Sequence, residues 1–283
     1  MSHYIHNYQI IEKIGNGVFA TVFKGVHRTN QKEVAIKVSK ERQIHESKIL
    51  AYLNREHTNS LSIPTLYWYG LFGENTCIAM SFYNTTLTNY IENLWQHDPY
   101  IKLLGVCGQL ISIVETLHSS YIVHSDIKPD NFMIDANGRV VIIDFGLSSL
   151  FYNVDKKIHR PNKPSEHLIG SPKYASVYLH GGNSMSCRDD LISMGYMMMT
   201  FFHVKIPWSN VQFDESSELP LYHIEHPANV ERAKHKRFDA LMQSLNSHYS
   251  THYLIPYFHA TYSLAYEDSP DYKMLGQIFS TLY

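Results

Sequence analysis

His124-Ser125-Asp126-Ile127-Lys128-Pro129-Asp130-Asn131, followed by Asp144-Phe145-Gly146, decides how the rest of the chain is read. Transfer of a phosphoryl group needs a carboxylate beside the attacking hydroxyl, a cation on the moving phosphate, and metal ligands spanning the phosphates. Asp126 meets the first need, Lys128 the second, and Asn131 with Asp144 the third. Between the two groups lie paired short strands predicted at Phe132–Ile134 and Val140–Ile143. An ordinary surface loop does not account for all of these residues in this order.

Working outward towards the N-terminus, Ile14-Gly15-Asn16-Gly17-Val18-Phe19-Ala20-Thr21-Val22 sits between two predicted strands. Two glycines let the backbone bend close over a triphosphate and turn its N–H groups inward. By itself the pattern is equally that of a tight β-turn, and Ala20 stands where a third glycine is usual. Phe19 would then be an odd exposed apolar residue, whereas over a bound nucleotide it caps the site. Val34-Ala35-Ile36-Lys37 follows, an apolar strand with one lysine. A buried ammonium is costly unless it finds an anion; on the strand alone, a solvent-facing edge lysine fits as well. Glu46, nine residues on in a predicted helix over about Ile44–Leu53, can reach back to pair with Lys37, with Glu41 as the alternative partner.

Asp-x-x-x-x-Asn, a hairpin, then Asp-Phe-Gly is the layout of the protein kinases, and the chain resembles a eukaryotic-type member. Gly170-Ser171-Pro172-Lys173-Tyr174-Ala175-Ser176 stands where most kinases carry Ala-Pro-Glu, and it resembles the casein kinase 1 sequence Gly-Thr-Ala-Arg-Tyr-Ala-Ser. Ser186–Tyr196 with Pro207-Trp208, and Tyr266–Tyr272 near the end, resemble the same family; the vaccinia-related kinases are the nearest alternative. The likeness runs from about Tyr8 to the C-terminus.

The resemblance implies ATP and Mg²⁺ as cofactors, with Asn131 and Asp144 on the metal. It makes Met80 the gatekeeper and Ser81–Tyr83 a hinge that bonds adenine through its backbone, with Val22, Ala35 and Met133 around the ring. Ser171 would orient Asp126 and Lys128, and Asp190 would brace the catalytic loop. Lysine two places after Asp126 favours Ser/Thr acceptors over Tyr. The family prefers acidic or phosphate-primed protein substrates, and Lys173 and Arg188 stand where part of its basic pocket would be.

Several residues depart from the pattern. Ser125 replaces the arginine that commonly receives an activation-loop phosphate. Ala20 stiffens the loop over ATP, the link from Lys37 to Glu46 is short, and Val211–Glu218, with Asp214, Glu215 and Glu218, is acidic where the family is basic. Ser125 and Ala20 favour a pseudokinase scaffold as the rival reading. The complete set Lys37, Glu46, Asp126, Lys128, Asn131 and Asp144 opposes it. A small-molecule kinase shares the Asp-x-x-x-x-Asn logic but does not explain Gly170–Ser176 or Arg188–Gly195.

Composition bounds the rest. At 283 residues and 44% hydrophobic, the chain fits one α+β domain over 8–283 in two lobes. A β-rich small lobe is expected over about 8–80, a hinge over 81–84 and a mainly helical large lobe over 85–283. Leu103, Leu104, Cys107, Leu110, Ile111, Val114 and Leu117 form the stripe of a core-facing helix. A net charge of −2 gives no global drive towards nucleic acid or an anionic membrane. Three scattered cysteines in apolar stretches fit free thiols in a reducing compartment. The start lacks the pattern of a secretory signal, and the longest apolar runs are interrupted or short. The expectation is an intracellular, monomeric enzyme with no nucleic-acid or membrane partner.

Overall fold

β-branched and aromatic residues, separated by polar or Gly-containing turns, fold the start of the chain into an antiparallel sheet. Its strands are β1 (Tyr4–Ile5), β2 (Tyr8–Asn16), β3 (Ala20–His27), β4 (Glu33–Ser39), β5 (Leu66–Phe72) and β6 (Asn75–Ser81), in the order β1-β2-β3-β4-β6-β5. The computed structural model describes residues 4–17, 20–39, 44–58, 60, 62–96, 99–213, 215–246 and 252–280. By its internal contacts the chain divides into two compact units, Met1–Leu87 with Phe132–Gly146, and Thr88–Asn131 with Leu147–Tyr283.

In the first unit the sheet buries Ile5, Tyr8, Val34, Ile36, Cys77 and Ala79 as one apolar cluster. Helix α1 (Ile44–Glu56) sits against β5 and buries Ile49, Leu50 and Leu53. It also buries Glu46, which a helix places on the same face three and seven positions from Ile49 and Leu53. A smaller sheet joins β7 (Thr85–Thr86), β9 (Phe132–Ile134) and β10 (Val140–Ile142), so this hairpin groups with the β-rich unit rather than with the helical one expected to hold it. β7 pairing with β9 is the physical reason.

The second unit is mainly helical: α2 (Leu87–Leu94), α3 (Tyr100–Ser119), α4 (Val177–His180), α5 (Cys187–Phe201), α6 (Pro227–His235), α7 (Phe238–Leu245), α8 (Leu254–Tyr262) and α9 (Tyr272–Ile278). The α3 stripe is buried as its spacing predicts. By length and apolar composition α3 could cross a membrane, yet that stripe packs into the protein core. Helix α5 is buried nearly all round, from Cys187 to Phe201 with only Thr200 partly open, and a capping box between Ser186 and Asp189 starts it. The segment expected as a plain loop after the Asp-Phe-Gly contains short strands. β11 (Ser149–Leu150) pairs with β8 (Ile122–Val123), and β12 (Tyr152–Asn153) pairs with β13 (Ile158–His159). All three cysteines are buried free thiols.

Candidate active site

Strand β4 alternates its side chains, and the alternation that buries Val34 and Ile36 in the sheet core sends Ala35 and Lys37 to the other face. Lys37 Nζ lies 2.7 Å from Glu46 Oε2 and 2.8 Å from Asp144 Oδ1. Glu46 is therefore the partner of Lys37; the alternative, Glu41, lies outside the described residues. Burial opposes a charge on Lys37, but Glu46 and Asp144 outweigh it and hold the pKa above the usual lysine value. Burial pushes Glu46 up, and Lys37 pulls it back. Asp144 takes a left-handed backbone, φ 64°, which a non-glycine adopts only at a cost of roughly 1 kcal/mol or more. Its carboxylate stays 45% exposed.

Beside this ion pair is a cavity of about 150 Å³. Ile14, Val22, Ala35, Lys37, Met80, Ser81, Tyr83 and Met133 line it, as do Glu46, Phe82, Ile143 and Asp144. Apolar walls with a cation and acids at one edge suit a flat heterocycle carrying phosphates. A larger cavity, about 210 Å³, is lined by Tyr8, His27, Asn30, Lys32, Val34 and Tyr67 and contains none of these acids. Gly15, Asn16, Gly17, Ala20 and Thr21 do not line the cavity beside Lys37; they form the tip of the β2–β3 hairpin. Gly17 N–H donates to Ala20 O at 2.8 Å and Thr21 Oγ1 to Asn16 Oδ1 at 3.2 Å. Among the described residues, a Cβ on Gly17 would meet nothing nearer than Ala20 O at 3.5 Å. Val18 and Phe19 lie outside the described residues. Ser81 N–H donates to Thr65 O at 3.0 Å.

In the second unit, Asp126 is the centre of a dense set of bonds. Ser171 donates to its Oδ1 from both the backbone N–H, at 2.9 Å, and Oγ, at 2.8 Å. Lys128 Nζ lies 2.7 Å from Asp126 Oδ2 and donates to Ser171 Oγ at 3.1 Å. Asn131 Nδ2 donates to Asp126 O at 2.8 Å and to Oδ2 at 3.2 Å. The loop carrying them is held from below by Asp190, which accepts from His124 N–H at 2.7 Å and Ser125 N–H at 2.9 Å. Those two bonds fix Ser125 in the left-handed region, φ 73°. Gly170 faces it at φ 81°, and a Cβ there would sit 2.5 Å from Ser125 O, so position 170 admits glycine alone.

Residues 8–252 match the family model described as Protein kinase domain. The chain belongs to the protein kinase family. Its fold is the α+β two-lobed kinase fold, with a β-sheet small lobe and a helical large lobe. Such domains carry out phosphoryl transfer, in general from ATP with Mg²⁺. Taken one at a time, Asn131 and Asp144 carry the kind of donor that metal takes. Asn131 spends its amide N–H groups on Asp126 and keeps an amide oxygen, and Asp144 offers an exposed carboxylate, both hard oxygen ligands.

Two residues of the kinase make contacts that the sequence does not announce. Arg188 is nearly enclosed by its surroundings. It is 7% exposed, stacked 3.6 Å over Tyr178, with Nη1 donating to Leu264 O at 3.5 Å. Its place at the start of the buried helix α5 is the reason. His118 gives no signal in the sequence, because it lies on α3 beside the apolar stripe. Its Nε2 is 3.0 Å from Asp190 Oδ2, and its Nδ1 is 2.5 Å from the Tyr272 hydroxyl on α9. It thus ties the last helix to the acid that braces the catalytic loop. Asp214 lies outside the described residues.

Proposed function

We propose that this chain is an active, ATP- and Mg²⁺-dependent protein serine/threonine kinase of the casein kinase 1 kind, a single domain over 8–283. The observation that carries the reading is the bonding of Asp126 to both Lys128 and Ser171, with Lys37 already on Glu46. Magnesium-bound ATP supplies the electrophilic γ-phosphoryl group. Asp126 accepts the proton of the acceptor hydroxyl, and Lys128 steadies the charge on the phosphoryl group in transit. Lys37, positioned by Glu46, holds the nucleotide phosphates, and Asn131 and Asp144 hold the metal. The hairpin tip, Gly15 to Thr21, covers the phosphates, and Met80, Ser81 and Tyr83 bond and wall the adenine.

The rival, a pseudokinase that only binds partners, draws on Ser125 and Ala20. Neither residue donates to or accepts from Asp126, Lys128 or Lys37 in the bonds described above. Buried free thiols support an intracellular setting for the enzyme; we propose that it works as a monomer. A weakened preference for acidic or primed peptides would rest on exposed Lys173, a point charge, together with Arg188, and would be eroded by salt.

Radiolabelled ATP with casein, followed by phosphoamino-acid analysis, tests the reading, with Asp144→Ala as control. Label on serine or threonine that Asp144→Ala abolishes is the expected result. Label on tyrosine, or none above the control, would overturn it.

A further inference from the structure

Lys236, at the C-terminal cap of α6, is fully buried, and no acid among the described residues pairs with it. Its Nζ is 2.8 Å from Pro172 O, 2.6 Å from Ala175 O and 3.0 Å from His180 Nε2. His180, at the end of α4, is buried too, with Nε2 3.2 Å from Pro172 O. Trp208 Nε1 donates to the carbonyl between them, Lys173 O, at 2.7 Å. Within the strip, the N–H groups of Tyr174 and Ala175 both donate to Ser171 O at 2.8 Å. Side chains from outside the strip thus take the carbonyls of Pro172, Lys173 and Ala175. The strip begins at Ser171, the residue that bonds Asp126 and Lys128.

Burying an amine with no counter-ion is expensive, and a neutral donor would serve for packing alone. Burial, with Arg232 adding to it, pushes the Lys236 pKa well below the usual lysine value. Burial and the nearby Lys236 push His180 down to about 2. Lys236 Nζ can donate to Pro172 O, Ala175 O and His180 Nε2, so each of its three close contacts is a hydrogen bond.

We propose that Lys236, backed by His180, is a positioning residue for the protein acceptor. It locks the 172–175 strip so that Ser171 keeps Asp126 in place and the strip offers one fixed surface to the residues flanking the acceptor hydroxyl. This rests on the kinase reading above.

The test compares wild type, Lys236→Met, His180→Leu and Lys234→Met. The last removes an exposed amine on the same helix, paired among the described residues with Glu231, and should match wild type throughout. For Lys236→Met, kcat/KM for an acceptor peptide should fall about tenfold or more while KM for ATP stays within about twofold, because a small misplacement of a reacting group is costly. Hydrogen exchange at the Tyr174 and Ala175 amides should quicken. His180→Leu should move peptide kcat/KM and exchange in the same direction, by about threefold, and it decides the matter if Lys236→Met does not fold. Wild-type peptide kinetics in the variants, even with a lowered Tm, would show a merely structural role and overturn the proposal. Silence of the wild type itself would overturn the kinase reading instead. The exchange rates would still judge the clamp, and unchanged exchange would overturn it.

Discussion

Ser171 holds a single oxygen of Asp126 twice, Oγ donating to Oδ1 at 2.8 Å and the backbone N–H at 2.9 Å. Removing the hydroxyl leaves the backbone bond, so Ser171→Ala should retain a partly oriented base. We expect a fall in kcat of about tenfold for Ser171→Ala and about a hundredfold or more for Asp126→Asn. ATP affinity should be nearly intact in both. Steady-state kinetics with direct nucleotide titration checks this, and wild-type turnover by Asp126→Asn would remove Asp126 from the mechanism.

Lys37 and Glu46 form an ion pair whose side chains are 13% and 1% exposed. Replacing Lys37 by Met strands a buried carboxylate, which costs about 3–5 kcal/mol in comparable pairs. The double variant Lys37→Met/Glu46→Leu should recover much of that stability and none of the activity. Denaturant melts of the two proteins decide it: a single variant as stable as wild type contradicts the burial described. Asp144→Ala, whose carboxylate faces solvent more, should lose Mg²⁺-dependent nucleotide binding with little change in melting.

Ser125 is buried and its backbone N–H is spent on Asp190, so it cannot receive a phosphate as an arginine fork would. The segment after Asp144 is tied down without one. Phe151 N–H donates to Tyr121 O, Arg160 N–H to Phe151 O and Leu168 N–H to Tyr222 O. Protein made in bacteria and treated with phosphatase should keep its full rate. If dephosphorylation abolishes turnover, another basic residue such as Lys157 or Arg160 is the receiver.

His118 gives the fold a pH dependence of definite sign. Burial works against its protonation, but the Cys187 thiol and the Asp190 carboxylate outweigh this and raise its pKa to about 9. The stabilisation is full below the unfolded pKa, near 6.5, and is lost as pH rises through about 9. Wild type should therefore lose on the order of 3 kcal/mol over that window that His118→Gln does not lose. Urea melts at both ends of the window measure it. A gap between the two proteins that stays constant with pH would rule out the ion pair.

The kinase family is legible in the sequence because phosphoryl-transfer chemistry fixes residue types at short, contiguous spacing, as from Asp126 to Asn131. The strands Ala20–His27 and Phe132–Ile134 fall where their β-branched and aromatic residues put them. Strand β5 runs from Leu66 to Phe72, its pairing with β6 carrying it on to the turn at Gly73. Two-residue strands such as Thr85–Thr86 are too short to show any period. Lys236 reads as one charge in a basic run because its partners Pro172 and Ala175 lie 64 and 61 residues away. His118 and Asp190, 72 apart, are hidden for the same reason. The surroundings of Arg188 are hidden too, because a charge in sequence does not announce that two tyrosine rings and a helix N-terminus enclose it.

The burial of every cysteine has a practical consequence. Cys77 and Cys107 are fully covered and Cys187 is 5% exposed, and burial raises the Cys77 thiol to about 11. Burial denies a maleimide access to all three, and at Cys77 it also makes the attacking thiolate scarce. A cysteine introduced at an open site such as Ile101, 68% exposed, would then be the thiol that a dye finds first in the native enzyme. Fluorescent reporters can be attached site by site without first rewriting the natural cysteines.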